Sequence, residues 1–129
     1  MPWTFEITTG RLFDPAGTEV SRGYAGGNCG KNPEGRNNPD LCNVPNIGPL
    51  PPGFYTYGEP IEHSKLGAFA IPLIPDPANE MYDRKDFFMH GDTPIPGNGS
   101  EGCIVQPRPW REAAHKSPDQ RIQVVKVKA

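Results

Sequence analysis

His90 closes an aromatic, β-prone run, Phe87-Phe88-Met89, and Cys103 follows thirteen positions later, directly behind Gly102. A loop that folds back sets a thiol beside an imidazole. The chemical use of such a pair is plain: a free thiol with a pKa of about 8.5 is only a few per cent thiolate at neutral pH, and a nearby imidazolium lowers that pKa. Gly102 lets the backbone turn sharply and leaves room for a substrate carbonyl, and the N–H groups of Gly102 and Cys103 are candidates for an oxyanion hole. By type alone the two residues are equally a small buried cysteine beside a strand and a histidine without a chemical role. A zinc site has less support, because His90, His115, Cys29, Cys42 and Cys103 include no close Cys-x-x-Cys or His-x-x-x-His pair. No metal and no cofactor are expected.

The elements that must position these residues read as mainly β. Trp3, Phe5 and Ile7 alternate with Thr4, Glu6 and Thr8, the period of a half-buried strand, and Asp14-Pro15-Ala16-Gly17 fits a type I turn leading to a second extended run from Thr18 to Ser21. From Gly23 to Asn46 the chain is rich in Gly, Asn and Pro and too long for an ordinary connection. Cys29 and Cys42 bracket this loop; a disulfide there would contribute about 3 kcal/mol by loop closure, and two free thiols in a reducing compartment are the alternative that spacing leaves open. Gly48 to Gly53 forms a Pro-rich turn into the strand Phe54-Tyr55-Thr56-Tyr57, and Gly67 to Ile74 is a further strand, ended by Pro72 and Pro75. Phe87 to His90 is another, followed by a flexible bend from Gly91 to Gly99. One short helix is expected from Pro109 to His115, and Ile122, Val124 and Val127 end the chain in a last strand with Val125 on its other face.

Composition sets the outer limits. Seventeen Pro and fifteen Gly in 129 residues look at first like low complexity, yet 35% hydrophobic residues and a net charge of −2 favour one folded domain over the whole chain, 1–129. No apolar run approaches the roughly 18 residues of a membrane helix, and the first twenty residues hold Glu6, Arg11 and Asp14 with no signal-peptide core. With a pI near 5.9 and no Lys/Arg cluster, nucleic acid is excluded as a partner.

His90-Gly91, a loop, and Ser100-x-Gly102-Cys103-Ile104 resemble the active-site signature of the L,D-transpeptidases of the YkuD-type fold. In papain-like cysteine peptidases the Cys precedes the His, and here the His comes first. With Phe88-Met89-His90-Gly91-Asp92-Thr93-Pro94, the run Ser100 to Val105, and Ile47 to Tyr55, the chain is most similar to the L,D-transpeptidase effectors of bacterial type VI secretion systems. The resemblance spans nearly the whole chain in segment order, and its sharp motifs about a quarter of it.

The resemblance implies a compact β-sandwich or barrel-like domain acting on peptidoglycan stem peptides. It implies Cys103 as the nucleophile attacking the carbonyl of the third-position diamino acid and expelling terminal D-Ala, and His90 as base and acid. The Gly91 carbonyl would orient the imidazole, and Ser100 would shape the loop. Water would then give L,D-carboxypeptidase activity, and a D-amino acid exchange. It further implies a type VI carrier, action in the target-cell periplasm, and an immunity protein that occludes the cleft. The family signature has His where this chain has Glu101, and Arg two residues after the Cys where it has Val105, which leaves carboxylate recognition unassigned; Arg84, Arg108 and Arg111 are near enough in sequence to substitute, and solvated surface is the ordinary reading of each. Tyr24 and Tyr55 are candidates to line the groove and Asp92 to orient His90. The rival readings are a non-catalytic peptidoglycan-binding module and a secretion adaptor.

Overall fold

The N-terminal alternation forms strand β1 (Trp3–Glu6), in which Trp3 and Phe5 are buried and Thr4 is half-buried. A computed structural model describing all 129 residues pairs β1 in parallel with the last strand, β10 (Arg121–Val125), setting Phe5 beside Val124. On its other edge β1 pairs with β2 (Arg11–Phe13), and the Asp14 to Gly17 turn leads into β3 (Glu19–Arg22). Gly17 N–H donates to the Asp14 carbonyl at 2.9 Å, and the Asp14 carboxylate accepts from the N–H groups of Ala16 and Thr18. The expected turn is therefore closed by both backbone and side chain.

The other strands are β4 (Tyr24–Ala25), β5 (Gly53–Tyr57), β6 (Ile61–His63), β7 (Gly67–Pro75), β8 (Phe88–His90) and β9 (Ile104–Val105). All ten form one mixed sheet in the order β3-β2-β1-β10-β5-β7-β8-β9-β4, with β6 added on β7. β7 joins the two halves of the sheet: Leu73 to Pro75 pair with β5, while Ile71 and Pro72 pair with β8. It thus runs through Pro72 instead of stopping there. The single α-helix, α1 (Arg108–Lys116), carries Pro109 in its first turn and packs on β7 and β8, with Arg111 and Ala114 buried. The core gathers Trp3, Phe5, Leu12, Leu50, Tyr55 and Ile122 around the first half of the sheet, and Ile71, Met89 and Ile104 around the second. No helix is long and apolar enough to cross a membrane.

Two expectations are corrected here. Val127 does not extend the last strand: β10 ends at Val125, and Val127 is 66% exposed. The long loop is not fastened by a disulfide in this structure, where all three cysteines are free. The buried Cys42 thiol donates to the Leu50 carbonyl at 3.6 Å, while the exposed Cys29 faces the Glu101 carboxylate at 3.7 Å, so the two sulfurs point to different neighbours. Three short 3-10 turns, Asn28–Gly30, Pro33–Gly35 and Pro39–Leu41, with β4, give the loop its order instead.

Candidate active site

β8 and β9 lie side by side in parallel, with Met89 opposite Ile104 and His90 opposite Val105. Parallel neighbours need a crossing connection of about a dozen residues or more, which residues 91–103 provide. Cys103 immediately precedes β9, and its Sγ accepts the Phe88 N–H at 3.3 Å, which ties the sulfur to β8 two residues before His90. His90 and Cys103 line one cavity of about 630 Å³. The imidazole is 2% exposed, and its Nδ1 meets the Gly91 carbonyl at 2.7 Å. A carbonyl oxygen only accepts, so Nδ1 carries the proton and Nε2 presents a lone pair. That Nε2 is buried and has no partner.

Ser100 holds the turn before the cysteine. Its hydroxyl accepts from the N–H groups of Gly26 at 2.9 Å and Gly102 at 3.0 Å and donates to the Cys103 carbonyl at 2.6 Å. Gly102 has φ +138°, and a side chain there would meet Arg84 and Phe87. One part of the oxyanion expectation is thereby corrected: the Gly102 N–H is spent on Ser100. The Cys103 N–H, turned toward its own sulfur, is the donor that remains of the pair.

Burial pushes the Cys103 thiol up to about 11, with Glu101 adding to the rise and the Phe88 N–H and Arg84 opposing it. Burial holds the His90 imidazole below its ordinary value, against the pull of the Gly91 carbonyl and with Arg111 and His63 reinforcing the depression. The resting pair is therefore neutral thiol and neutral imidazole, not the thiolate and imidazolium that the residue types suggested.

The remaining candidates fall elsewhere. Tyr24 is buried; its hydroxyl donates to Asp92 and accepts the Gly99 N–H at 2.8 Å, bracing the 91–99 bend, and Tyr24 itself does not line the Cys103 cavity. Asp92 also accepts from the N–H groups of Thr93 and Gly97, so it holds this bend and does not orient His90. Tyr55 is 1% exposed and donates to the Pro51 carbonyl at 2.6 Å; it is a core residue and not a groove wall. Arg84 borders the cavity, but its two terminal nitrogens donate to the carbonyls of Cys42, Pro49, Gly48 and Glu101, which leaves no terminal N–H for a substrate carboxylate. Arg108 pairs with Glu112 on the exposed face of α1 and, with Arg111, lines a different cavity.

His63 is the residue that the sequence did not single out. It lines the Cys103 cavity and meets Phe88 edge to face at 5.2 Å, and its Nδ1 accepts the N–H groups of Lys65 and Leu66 at 3.0 and 3.1 Å. Its place there follows from the β6–β7 hairpin, closed at Gly67 with φ +86°. The sequence carries no periodic signal for that hairpin.

The chain is thus a mainly β domain in which a cysteine and a histidine with an unpartnered, buried Nε2 line one cavity. Residues 24–128 match the Tlde1 domain family, and the chain belongs to that family of type VI secretion effectors, L,D-transpeptidase-like and directed at peptidoglycan. No curated protein and no solved structure matches the chain.

Proposed function

We propose that this protein cleaves peptidoglycan stem tetrapeptides between the third-position diamino acid and the terminal D-Ala, through an acyl-enzyme on Cys103. The observation that carries the reading is the unpartnered His90 Nε2 in the same cavity as the Cys103 thiol. In the first half-reaction the thiol proton passes to Nε2 as sulfur attacks the carbonyl carbon; the C–N bond then breaks, and His90 returns the proton to the departing D-Ala amine. Because the free pair is neutral, proton transfer accompanies attack and does not precede it. The Cys103 N–H is the donor for the developing oxyanion. In the second half-reaction water yields the tripeptide, or the amine of a D-amino acid yields an exchanged tetrapeptide. In either case His90 removes the proton from the attacking group, the C–S bond breaks, and the proton returns to the Cys103 sulfur. No metal or cofactor enters these steps.

Delivery by a type VI carrier into the periplasm of a target cell, and an immunity protein that covers the cleft in the producer, complete the proposal. Cys103→Ala should abolish D-Ala release from tetrapeptide muropeptides followed by mass spectrometry, with muropeptide binding retained. Release at the parent rate would remove Cys103 from the mechanism.

A further inference from the structure

On the other side of the His90–Asp92 segment lies a second cavity, of about 720 Å³, that shares no lining residue with the first. In a chain of net charge −2 it collects four guanidinium groups, Arg22, Arg36, Arg108 and Arg111, against the single carboxylate of Asp92. That carboxylate is already engaged by Tyr24, Thr93 and Gly97. Arg22 and Arg108 reach Glu19 and Glu112 in exposed pairs, and neither Arg36 nor Arg111 joins any ion pair.

Arg111 is the informative member. It is 5% exposed and fixed by three carbonyls: Nε donates to Gln106 at 3.1 Å, and Nη1 to Ala68 and Phe69 at 3.0 and 2.8 Å. Its Nη2 has no partner and lies over Gly91, where a Cβ would come to 3.0 Å from it, so a side chain at this position would crowd the nitrogen. Beside it Gln106 is 1% exposed; its Nε2 donates to the Gly10 carbonyl at 3.1 Å, and its Oε1 is buried without a partner. A buried polar group left unpaired is costly, and Gln106, which carries this free neutral acceptor, lines the same cavity as Arg111 with its free cationic donor. The complementary ligand carries an anion next to an N–H.

We propose that this second cavity binds a terminal carboxylate with an adjacent N–H group, the chemistry shared by a free amino acid and by the C-terminal end of a peptide. Arg111 Nη2 and the exposed Arg36 take the carboxylate, and Gln106 Oε1 accepts the N–H. Planar guanidinium groups match carboxylate geometry, and Gln106 distinguishes this ligand from a bare anion. The site stands on its own residues and does not depend on Cys103 chemistry.

The test is calorimetric titration of the full chain carrying Cys103→Ser, which excludes turnover, with four probes: D-alanine, N-acetyl-D-alanine, acetate and inorganic phosphate. Saturable binding of D-alanine or N-acetyl-D-alanine at least about tenfold tighter than of acetate or phosphate is expected, from the lost N–H contact. The tighter of the first two identifies the source, a free amino acid or a peptide end. Arg36→Gln, at an exposed position whose side chain makes no hydrogen bond or ion pair and only a loose contact over the Tyr24 ring at 6.0 Å, should weaken that binding about tenfold with Tm changed by no more than about 2 °C. Absence of saturation with both N–H probes, equal affinity for acetate or phosphate, or unchanged affinity in Arg36→Gln would each overturn the proposal.

Discussion

Replacing Ser100 by Ala removes one oxygen and three hydrogen bonds. The two amides of Gly26 and Gly102 lose their acceptor, the Cys103 carbonyl loses its donor, and the site is 1% exposed, so water has little access to substitute. Each buried polar group left unpaired costs about 1–3 kcal/mol, and relaxation of the turn recovers part of the sum, which sets the expected loss near 3 kcal/mol. At about 4 °C per kcal/mol for a chain of this size, Tm should fall by about 12 °C. Calorimetry or circular dichroism measures this directly, with Ser64→Ala on the exposed β6–β7 turn as a control expected to stay within about 0.5 kcal/mol. A fall of less than about 4 °C in Ser100→Ala would refute the assignment of Ser100 as the residue that holds the Cys103 turn, because no combination of three lost buried bonds gives so small an effect.

Tyr24→Phe deletes the hydroxyl that joins Asp92 to the Gly99 N–H; it should cost about 1–2 kcal/mol and speed hydrogen exchange of the Gly99 amide, and unchanged exchange would show the bend to be held by other contacts. In Cys29→Ser protein, alkylation of Cys103 should accelerate about tenfold per pH step from neutrality toward pH 11, since a thiol pushed up to about 11 gains thiolate throughout that window. A rate already level at pH 7 would contradict the neutral resting pair. In the unmodified chain the exposed Cys29 should react first and the buried Cys42 only on unfolding, to a total of three thiols; a total of one in unreduced protein would reinstate the Cys29–Cys42 staple.

The parts of the fold legible in the sequence are those governed by local physics. Trp3 and Phe5 alternate because one face of β1 is buried, Asp14 to Gly17 encloses its own hydrogen bonds, and Pro109 fixes the first turn of α1. β4, β6 and β9 have two or three residues each, and β4 and β9 exist through each other across the chain, as Tyr24 opposite Val105 shows; so short a run has no period to read. The end of the chain misled for the complementary reason: Val127 has strand propensity, but β10 pairs with β1 and β5 only as far as Val125, and beyond it no partner strand is present.

Residue type likewise located His90 and Cys103 but misjudged what surrounds them. Whether an aromatic residue faces a groove or the core is decided by register, and Tyr55 opposite Ile122 faces the core. Whether a thiol and an imidazole form an ion pair is decided by water. His90 is buried and Cys103 half-buried, and desolvation disfavours the charged form of each, which raises the thiol and lowers the imidazole. A pre-formed thiolate would be a potent nucleophile toward any electrophile the protein met in transit. In the proposed mechanism the neutral pair becomes reactive when a carbonyl sits against the sulfur and the Cys103 N–H, so that the charge created by attack is accepted as the proton moves to Nε2. On that proposal, the desolvation that raises the Cys103 thiol in the resting fold ties its activation to an occupied cavity.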